Sequence, residues 1–195
     1  MQFDINQLNQ LIRERRSTFP KQYIAGKHVD DTIIRQMLEN ANWAPTHKLT
    51  EPWRFTVFTG KGLRSFAGLQ ASVYKNAAGT GFKEENYQKL LTTPLLASHV
   101  ISIGMKRHAE KNIPEFEEIA AVACAVQNMY LTAAAYGVGC YWTTGGVTSN
   151  EAAKPFFDLD LADKLLGFLY VGSIAVPSAP GIRRPIDEKV KWIRE

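Results

Sequence analysis

Apolar positions recur along the chain at two periods, and their alternation sketches the fold. Ile5, Leu8, Leu11 and Ile12 fall on one side of a helix running from about Asp4 to Arg16, with Asp4 as its cap and Gln7 three residues later. A second helical stripe, Ile33, Ile34, Met37, Leu38 and Ala41, starts near Asp30 or Asp31 and runs to Trp43, where Ala44-Pro45 stops it. Trp53 to Thr59 is aromatic and β-branched and ends at Gly60, the pattern of a strand. Leu63 to Tyr74 reads as a helix, Asn76 to Gly81 as a small, flexible stretch and Lys83 to Leu91 as a short helix. The apolar run Leu95 to Met105 predicts a buried strand that ends at Lys106-Arg107-His108.

A long apolar helix follows Pro114. Glu115, Glu117 and Glu118 in its first turn offset the helix dipole, and Gly137 and Gly139 close it. The run Ile119 to Gly139 is long enough to cross a bilayer, but Gln127 and Asn128 sit in its middle and no basic cluster flanks it, so it is assigned to a buried core helix. Cys140 to Thr144 is a short strand opening into Gly145-Gly146, where backbone can approach a ligand closely; Asn150 to Phe157 is a short helix and Lys164 to Gly172 a last strand. Helices and strands mix without a βαβ period, which predicts an α+β fold with a mainly antiparallel sheet. No repeat of solenoid period and no linker tract interrupts it, so residues 1–195 are read as one domain.

Composition narrows this picture. With 45% hydrophobic and 22% charged residues the chain has the balance of a globular protein and not of a disordered or fibrous one. Cys124 and Cys140 are too few for a disulfide scaffold and lack CxxC spacing, and no basic segment leading into an apolar core opens the chain; a reduced, cytoplasmic setting without a signal peptide is expected. The net charge of +4 is too modest to indicate nucleic acid. Its placement is more informative, because Arg13, Arg15, Arg16, Lys21 and Lys27 gather near one end and Arg183, Arg184, Lys189, Lys191 and Arg194 near the other, each suited to a small anion.

No GxGxxG follows a strand, and neither a P-loop nor a GxSxG elbow is present. His28, His47, His99 and His108 show no metal-like spacing to one another, to Cys or to a carboxylate, so no metal site is expected. His99, in an apolar strand, reads as a core residue, and His47, on the loop Ala44 to Lys48, is the histidine that stands out. Cys124 is expected inside a buried helix, where a thiolate is disfavoured, which leaves Cys140 as the thiol still open. The strongest local signal is Arg15-Arg16-Ser17 with Thr18 beside it, since guanidinium forks and a hydroxyl match a phosphate or carboxylate. A solvated helix end whose cations complement the helix dipole accounts for the same residues without a ligand. Arg183-Arg184-Pro185 supplies the other half of an anion clamp if the two ends meet.

Four separated motifs, in order over nearly the whole chain, resemble the FMN-dependent nitroreductase family, most closely its small single-domain bacterial members. They are Arg15-Arg16-Ser17; Trp43-Ala44-Pro45-Thr46-His47-Lys48 running to Pro52-Trp53-Arg54-Phe55; Gly137-Val138-Gly139-Cys140-Tyr141-Trp142-Thr143-Thr144-Gly145; and the tail from Arg183 to Trp192. The resemblance implies a central, mainly antiparallel sheet flanked by helices, in an intertwined homodimer that holds FMN at each of two subunit interfaces, with part of the long helix in the interface. By similarity, Arg15, Arg16 and Ser17 hold the flavin's phosphate, ribityl chain and pyrimidine edge, and Pro45, Thr46 and His47 come from the partner subunit. Trp142, Thr143, Thr144 and Gly145 pass the flavin, Arg183 and Arg184 reach its phosphate, and Thr132 to Gly137 faces the nicotinamide nucleotide.

The implied activity is that of an NAD(P)H oxidoreductase. NADPH or NADH passes a hydride to flavin N5 and leaves, and a nitroaromatic, quinone or related small acceptor then takes its place, a ping-pong scheme that needs no side-chain nucleophile. Arg16 is the candidate for the positive charge near flavin N1 and O2. A protein of the same fold that stores, senses or consumes flavin is the alternative, and neither nucleic acid nor membrane is an expected partner. Two departures from the family pattern stand out: Phe19 replaces a basic residue, and Leu49 and Glu51 replace Asn and Gln before Pro-Trp, with His47-Lys48 as a subgroup mark. They bear on which residue faces N1 and O2, and so on substrate range, more than on FMN binding.

Overall fold

In the computed structural model, which describes residues 2–195, a four-stranded antiparallel sheet carries helices on both faces. The elements run α1 (Ile5–Glu14), α2 (Asp31–Asn42), β1 (Trp53–Thr59), α3 (Lys61–Ala78), α4 (Glu84–Thr92), β2 (His99–Met105), α5 (Glu115–Ala135), β3 (Val138–Thr143) and β4 (Lys164–Ser173), joined by short 3-10 turns. The strand order is β1-β2-β4-β3, so the α+β expectation holds. One face of the sheet buries Ile101, Ile103, Leu169 and Val171 against Met37 and Ala41 of α2 and Val122, Ala125 and Met129 of α5. The other face packs Phe58, Phe168 and Tyr170 against Phe66 of α3 and Phe157.

Local chemistry explains most boundaries. Asp4 caps α1 by accepting the N–H groups of Asn6 and Gln7, and Asp30 caps α2 through Thr32. Where the sequence predicts a flexible stretch at Asn76, α3 continues to Ala78: Ala77 and Ala78 favour helix, and Gly79, at φ 49°, supplies the stop. The first part of the strand expected from Leu95 is a 3-10 turn, Thr93–Leu96, set by Pro94, whose carbonyl accepts from Ala97. The segment from Asn150 is likewise 3-10, with Asn150 as cap and Pro155 inside.

Two helices are less buried than their apolar character suggests. No residue of α1 is buried, and Ile5, Leu8 and Ile12 of its apolar stripe are exposed. Around α5, one side carries Phe116, Ala120, Cys124 and Ala135 into the open, so the expectation of a buried Cys124 is corrected: the helix is apolar all round, but only part of it meets the sheet. Among the described residues no helix is long and apolar enough to cross a membrane.

The open edge of β3 is covered by the chain just after α1. Thr18 N–H donates to the Cys140 carbonyl at 2.8 Å, and Ile24 N–H to Ser173 at 2.8 Å. Between them the Tyr23 ring lies in a slot made by Gly139 and Gly172, and its hydroxyl donates to the Tyr170 carbonyl at 3.1 Å. A Cβ on Gly172 would sit 2.4 Å from that ring. Gly172→Ala is therefore expected to lower unfolding free energy by about 1–3 kcal/mol through overpacking. Gly68→Ala, on exposed α3 surface with nothing within 4 Å of the new methyl, should raise it by about 0.5–1 kcal/mol. Urea unfolding of the two variants checks both signs.

Candidate functional site

Sealing the β3 edge brings the first motif to the sheet. Ser17 bridges Cys140 in parallel register, and the Arg15 guanidinium stands 5.0 Å from the centre of the Tyr130 ring. Tyr130, buried on α5, accepts the Trp142 N–H at 2.6 Å and has the Ser17 hydroxyl beside it. Burial pushes the Tyr130 phenol above its ordinary pKa, against the pull of Ser17, the Trp142 N–H and Arg15, so it stays protonated at neutral pH. Sequence reasoning missed Tyr130; its one signal was a phenol within an otherwise apolar helical run.

The tail does reach the first motif. Ser178 Oγ donates to the Ser17 carbonyl at 2.9 Å, and the tail crosses Arg16 so closely that a Cβ on Gly181 would lie 2.7 Å from its Cζ. Arg16 turns back on α1 and donates to the carbonyls of Arg13 and Arg15, which is the helix-end role of such a cation. Its Nε is buried and has no partner among the described residues. The Arg15 fork, by contrast, meets no hydrogen-bond acceptor among them. Arg183 and Arg184 lie exposed on the tail just beyond Gly181.

On the face of the sheet away from α2 and α5, a cavity of about 830 Å³ opens between β3, β4, α3, α4 and residues 19–21. Thr143 and Gly145 line it, as do Phe19 and Tyr141, whose rings are 4.6 Å apart, and Phe168 and Tyr170. Lys21 and Lys89 add positive charge to the wall. The Gln70 side chain is buried beside the Tyr170 hydroxyl with its Nε2 unpartnered, and burial pushes that phenol up to about 12 against the pull of Gln70. The cavity has the size and aromatic lining of a small-molecule site. Outside this lining, on the α5 side of the same strand edge, stand a free guanidinium fork, a hydroxyl and a second guanidinium with an unpaired Nε, a donor set suited to a phosphate monoester.

Other singled-out residues are placed differently. The Trp142 side chain faces the opposite side of the sheet, its indole N–H donating to the Leu166 carbonyl at 3.1 Å. Thr144 is exposed, and its carbonyl accepts from Thr148. Pro45, Thr46 and His47 lie near the start of α5, where His47 Nδ1 is 2.5 Å from Glu117 Oε2 and Thr46 Oγ1 accepts the Glu51 N–H at 3.1 Å. Glu117 and Tyr130 are about 20 Å apart along the helix, so within one chain this loop sits far from Arg15 and Ser17. Lys48, Leu49 and Glu51, with φ of 51°, 52° and 43°, occupy the left-handed region that non-glycine residues avoid, so the loop holds strain next to the departures from the family pattern. Thr132, Ala135 and Tyr136 line a separate groove of about 580 Å³ with Leu11 and Trp43. Cys140 is buried, and burial pushes its thiol far above the ordinary range, which removes it as a nucleophile. Histidines that show no metal-like spacing along the sequence nonetheless meet carboxylates in the fold: His47 meets Glu117, and Asp31 meets both His28 and His99. Two of these pairs close across 70 and 68 residues, beyond the reach of spacing arguments.

A family model described as the nitroreductase family matches residues 12–173. The chain belongs to that family. Among its relatives is YdjA of Escherichia coli (strain K12), ascribed by name to the NAD(P)H nitroreductases, which is 28% identical over 152 residues, 78% of this chain and 81% of that protein. A nitroreductase-like family protein from Bacillus cereus has the same fold, with a TM-score of 0.80 at 26% identity and full coverage of both chains. A nitroreductase-type protein from Desulfovibrio desulfuricans, solved in complex with FMN, aligns with a TM-score of 0.74 at 25% identity, covering 98% of this chain and 99% of that one. The antiparallel sheet and its flanking helices are thus the family's fold.

Tyr130→Phe keeps the ring under Arg15 but leaves the Trp142 N–H without its acceptor. It is expected to cost about 1–3 kcal/mol, read from urea unfolding; an unchanged midpoint would show that the phenol does not organise this corner.

Proposed function

We propose that the protein is an FMN-dependent NAD(P)H oxidoreductase that reduces nitroaromatics, quinones or related small acceptors, working as a cytoplasmic homodimer in which residues 1–195 form one FMN-binding domain. The observation that carries this reading is the meeting of the Arg15-Arg16-Ser17 corner with the tail at the edge of β3. The unpaired buried Nε of Arg16 and the free fork of Arg15 fit a phosphate group better than they fit an empty helix end. The FMN complex of the Desulfovibrio desulfuricans relative and the name of YdjA support both cofactors.

In this reading Arg15 and Ser17 bind the phosphate and its linker, and Arg183 and Arg184 close over it from the tail. Arg16, pinned by the α1 carbonyls, supplies a fixed positive charge that stabilises negative charge developing nearby. Thr143 and Gly145 present cavity wall to the ring system, while Trp142 and Thr144 contribute backbone. Phe19 and Tyr141 exclude water on one side, and Lys21 and Lys89 draw anionic nucleotides toward the cavity. Bound FMN supplies the redox chemistry, taking hydride equivalents from NADPH or NADH and passing them to an electron-poor acceptor.

The dimer rests on uncovered apolar surface and on the position of one loop. The stripes of α1 and α5, with Trp43 and the tail residues Ile182, Ile186, Trp192 and Ile193, form more exposed apolar surface than a lone chain of this size ordinarily carries. Pro45, Thr46 and His47 reach a flavin held at Arg15 most simply from a second copy related by a two-fold axis.

Purified protein is expected to show oxidised flavin bands that bleach under anaerobic NADPH or NADH and return when a quinone or nitroaromatic is added. Bleaching that stops after one equivalent, without turnover on the acceptor, would contradict the enzyme reading and favour storage or sensing. Arg15→Ala should weaken FMN retention about tenfold or more, the size of one lost charge-assisted bond, measured by flavin fluorescence in the ultrafiltrate. Leu131→Arg, on the apolar side of α5, is expected to give monomers by light scattering that have lost their flavin; a flavin-loaded dimer would count against the interface.

A further inference from the structure

At the end of the sheet where β2 begins, three side chains from two separate stretches of chain converge. Asp31 is the first residue of α2, His28 lies three residues before it, and His99 opens β2. Asp31 Oδ1 is 3.1 Å from His28 Nε2 and 3.1 Å from His99 Nε2, and the three ligand atoms all lie within 4.8 Å of one another. We propose that His28, Asp31 and His99 form a binding site for one divalent transition ion of the zinc class, which clasps the start of α2 to β2.

Three features support an ion site over a simple hydrogen-bonded cluster. Ligand atoms around a tetrahedral ion with bonds of 2.0–2.1 Å stand about 3.3 Å apart, so the two Asp31 distances already match, and a small inward movement of the exposed His28 ring completes the third edge. Both imidazoles turn Nε2 toward Asp31, and His99 is held from its second nitrogen, Nδ1, by Ser98 Oγ at 2.9 Å, while His28 Nδ1 stands off at 3.5 Å. Ser98 is itself anchored by the Val29 N–H at 2.7 Å. A metal-bound histidine is oriented in this way, by a partner on its second nitrogen. Finally, His99 is 1% exposed and held by the core, while the side chains of His28 and Asp31 are 59% and 66% exposed, which gives a rigid inner ligand and an open path for the ion. Two imidazoles and one carboxylate suit zinc and its neighbours over calcium or magnesium, and the fourth position is left to water.

The test uses flavin-loaded protein treated with EDTA, carrying Cys124→Ser so that the exposed thiol does not compete for metal. Calorimetric titration with zinc chloride is expected to give one ion per chain, and cobalt chloride the intense visible bands of a tetrahedral site. His28→Ala, which alters an exposed side chain, should weaken zinc binding at least about 100-fold, since loss of a mere outer-shell partner costs about 10–100-fold. Zinc should also raise the melting temperature of the Cys124→Ser protein but not that of its His28→Ala derivative. No saturable zinc binding, or binding as tight in the His28→Ala and Asp31→Asn proteins as in their Cys124→Ser parent, would overturn the proposal.

Discussion

The structure depends on how the chain closes the free edge of its own sheet. Strand β3 lies at the margin, and an unpaired margin invites other chains to pair with it. Residues 17–24 close it, tied by backbone bonds from Thr18 to Cys140 on β3 and from Ile24 to Ser173 at the end of β4, with Tyr23 pressed into the glycine slot between them. Because this cover begins directly after α1, it sets Arg15 over Tyr130 and Ser17 beside Cys140. The tail, leaving β4 at the same end, pairs through Ala175 with Gln22 and then crosses Arg16. One packing solution thus serves edge protection and brings the tail across the Arg15-Arg16-Ser17 corner.

The same constraint explains what could be read from the sequence and what could not. Patterns that act locally were legible: β1 from Trp53 to Thr59 as expected, the start of α2 near Asp30 or Asp31, and the acidic first turn of α5. The Arg15-Arg16-Ser17 motif was legible as chemistry, because residue types carry it. Its split of labour was not. Only packing shows that Arg16 is spent on the α1 carbonyls while the Arg15 fork is free of such bonds, or that a phenol more than halfway along α5 lies beneath it. The His28, Asp31 and His99 cluster escaped for the same reason, since one of its members is brought in by strand pairing and not by neighbourhood in sequence. Cys124 was misjudged because an all-apolar helix does not announce which side faces the sheet.

That ambiguity of α5 leads to the account of assembly. A helix with apolar residues on every side needs cover on every side, and the sheet with α2 supplies only part of it. The uncovered part shares its exposure with α1, whose stripe buries nothing in one chain, and with Trp43 beside the loop that carries Pro45, Thr46 and His47. A two-fold contact along α5 would cover these surfaces and carry the loop at one end of the helix to the corner at the other end of its partner. The strain held at Lys48, Leu49 and Glu51 fits a loop shaped for such a contact.

The central claim, that each flavin site is shared between two subunits, is tested most directly by subunit complementation. Arg15→Ala and Pro45→Glu proteins are unfolded together, refolded as a 1:1 mixture and scored for bound flavin at a dilution at which neither protein alone stays loaded. If the site is shared, half of the dimers are mixed and each regains one intact site, so about a quarter of the wild-type flavin content returns. If both groups act within one subunit, no mixed dimer holds an intact site, and a mixture that stays flavin-free would contradict the account.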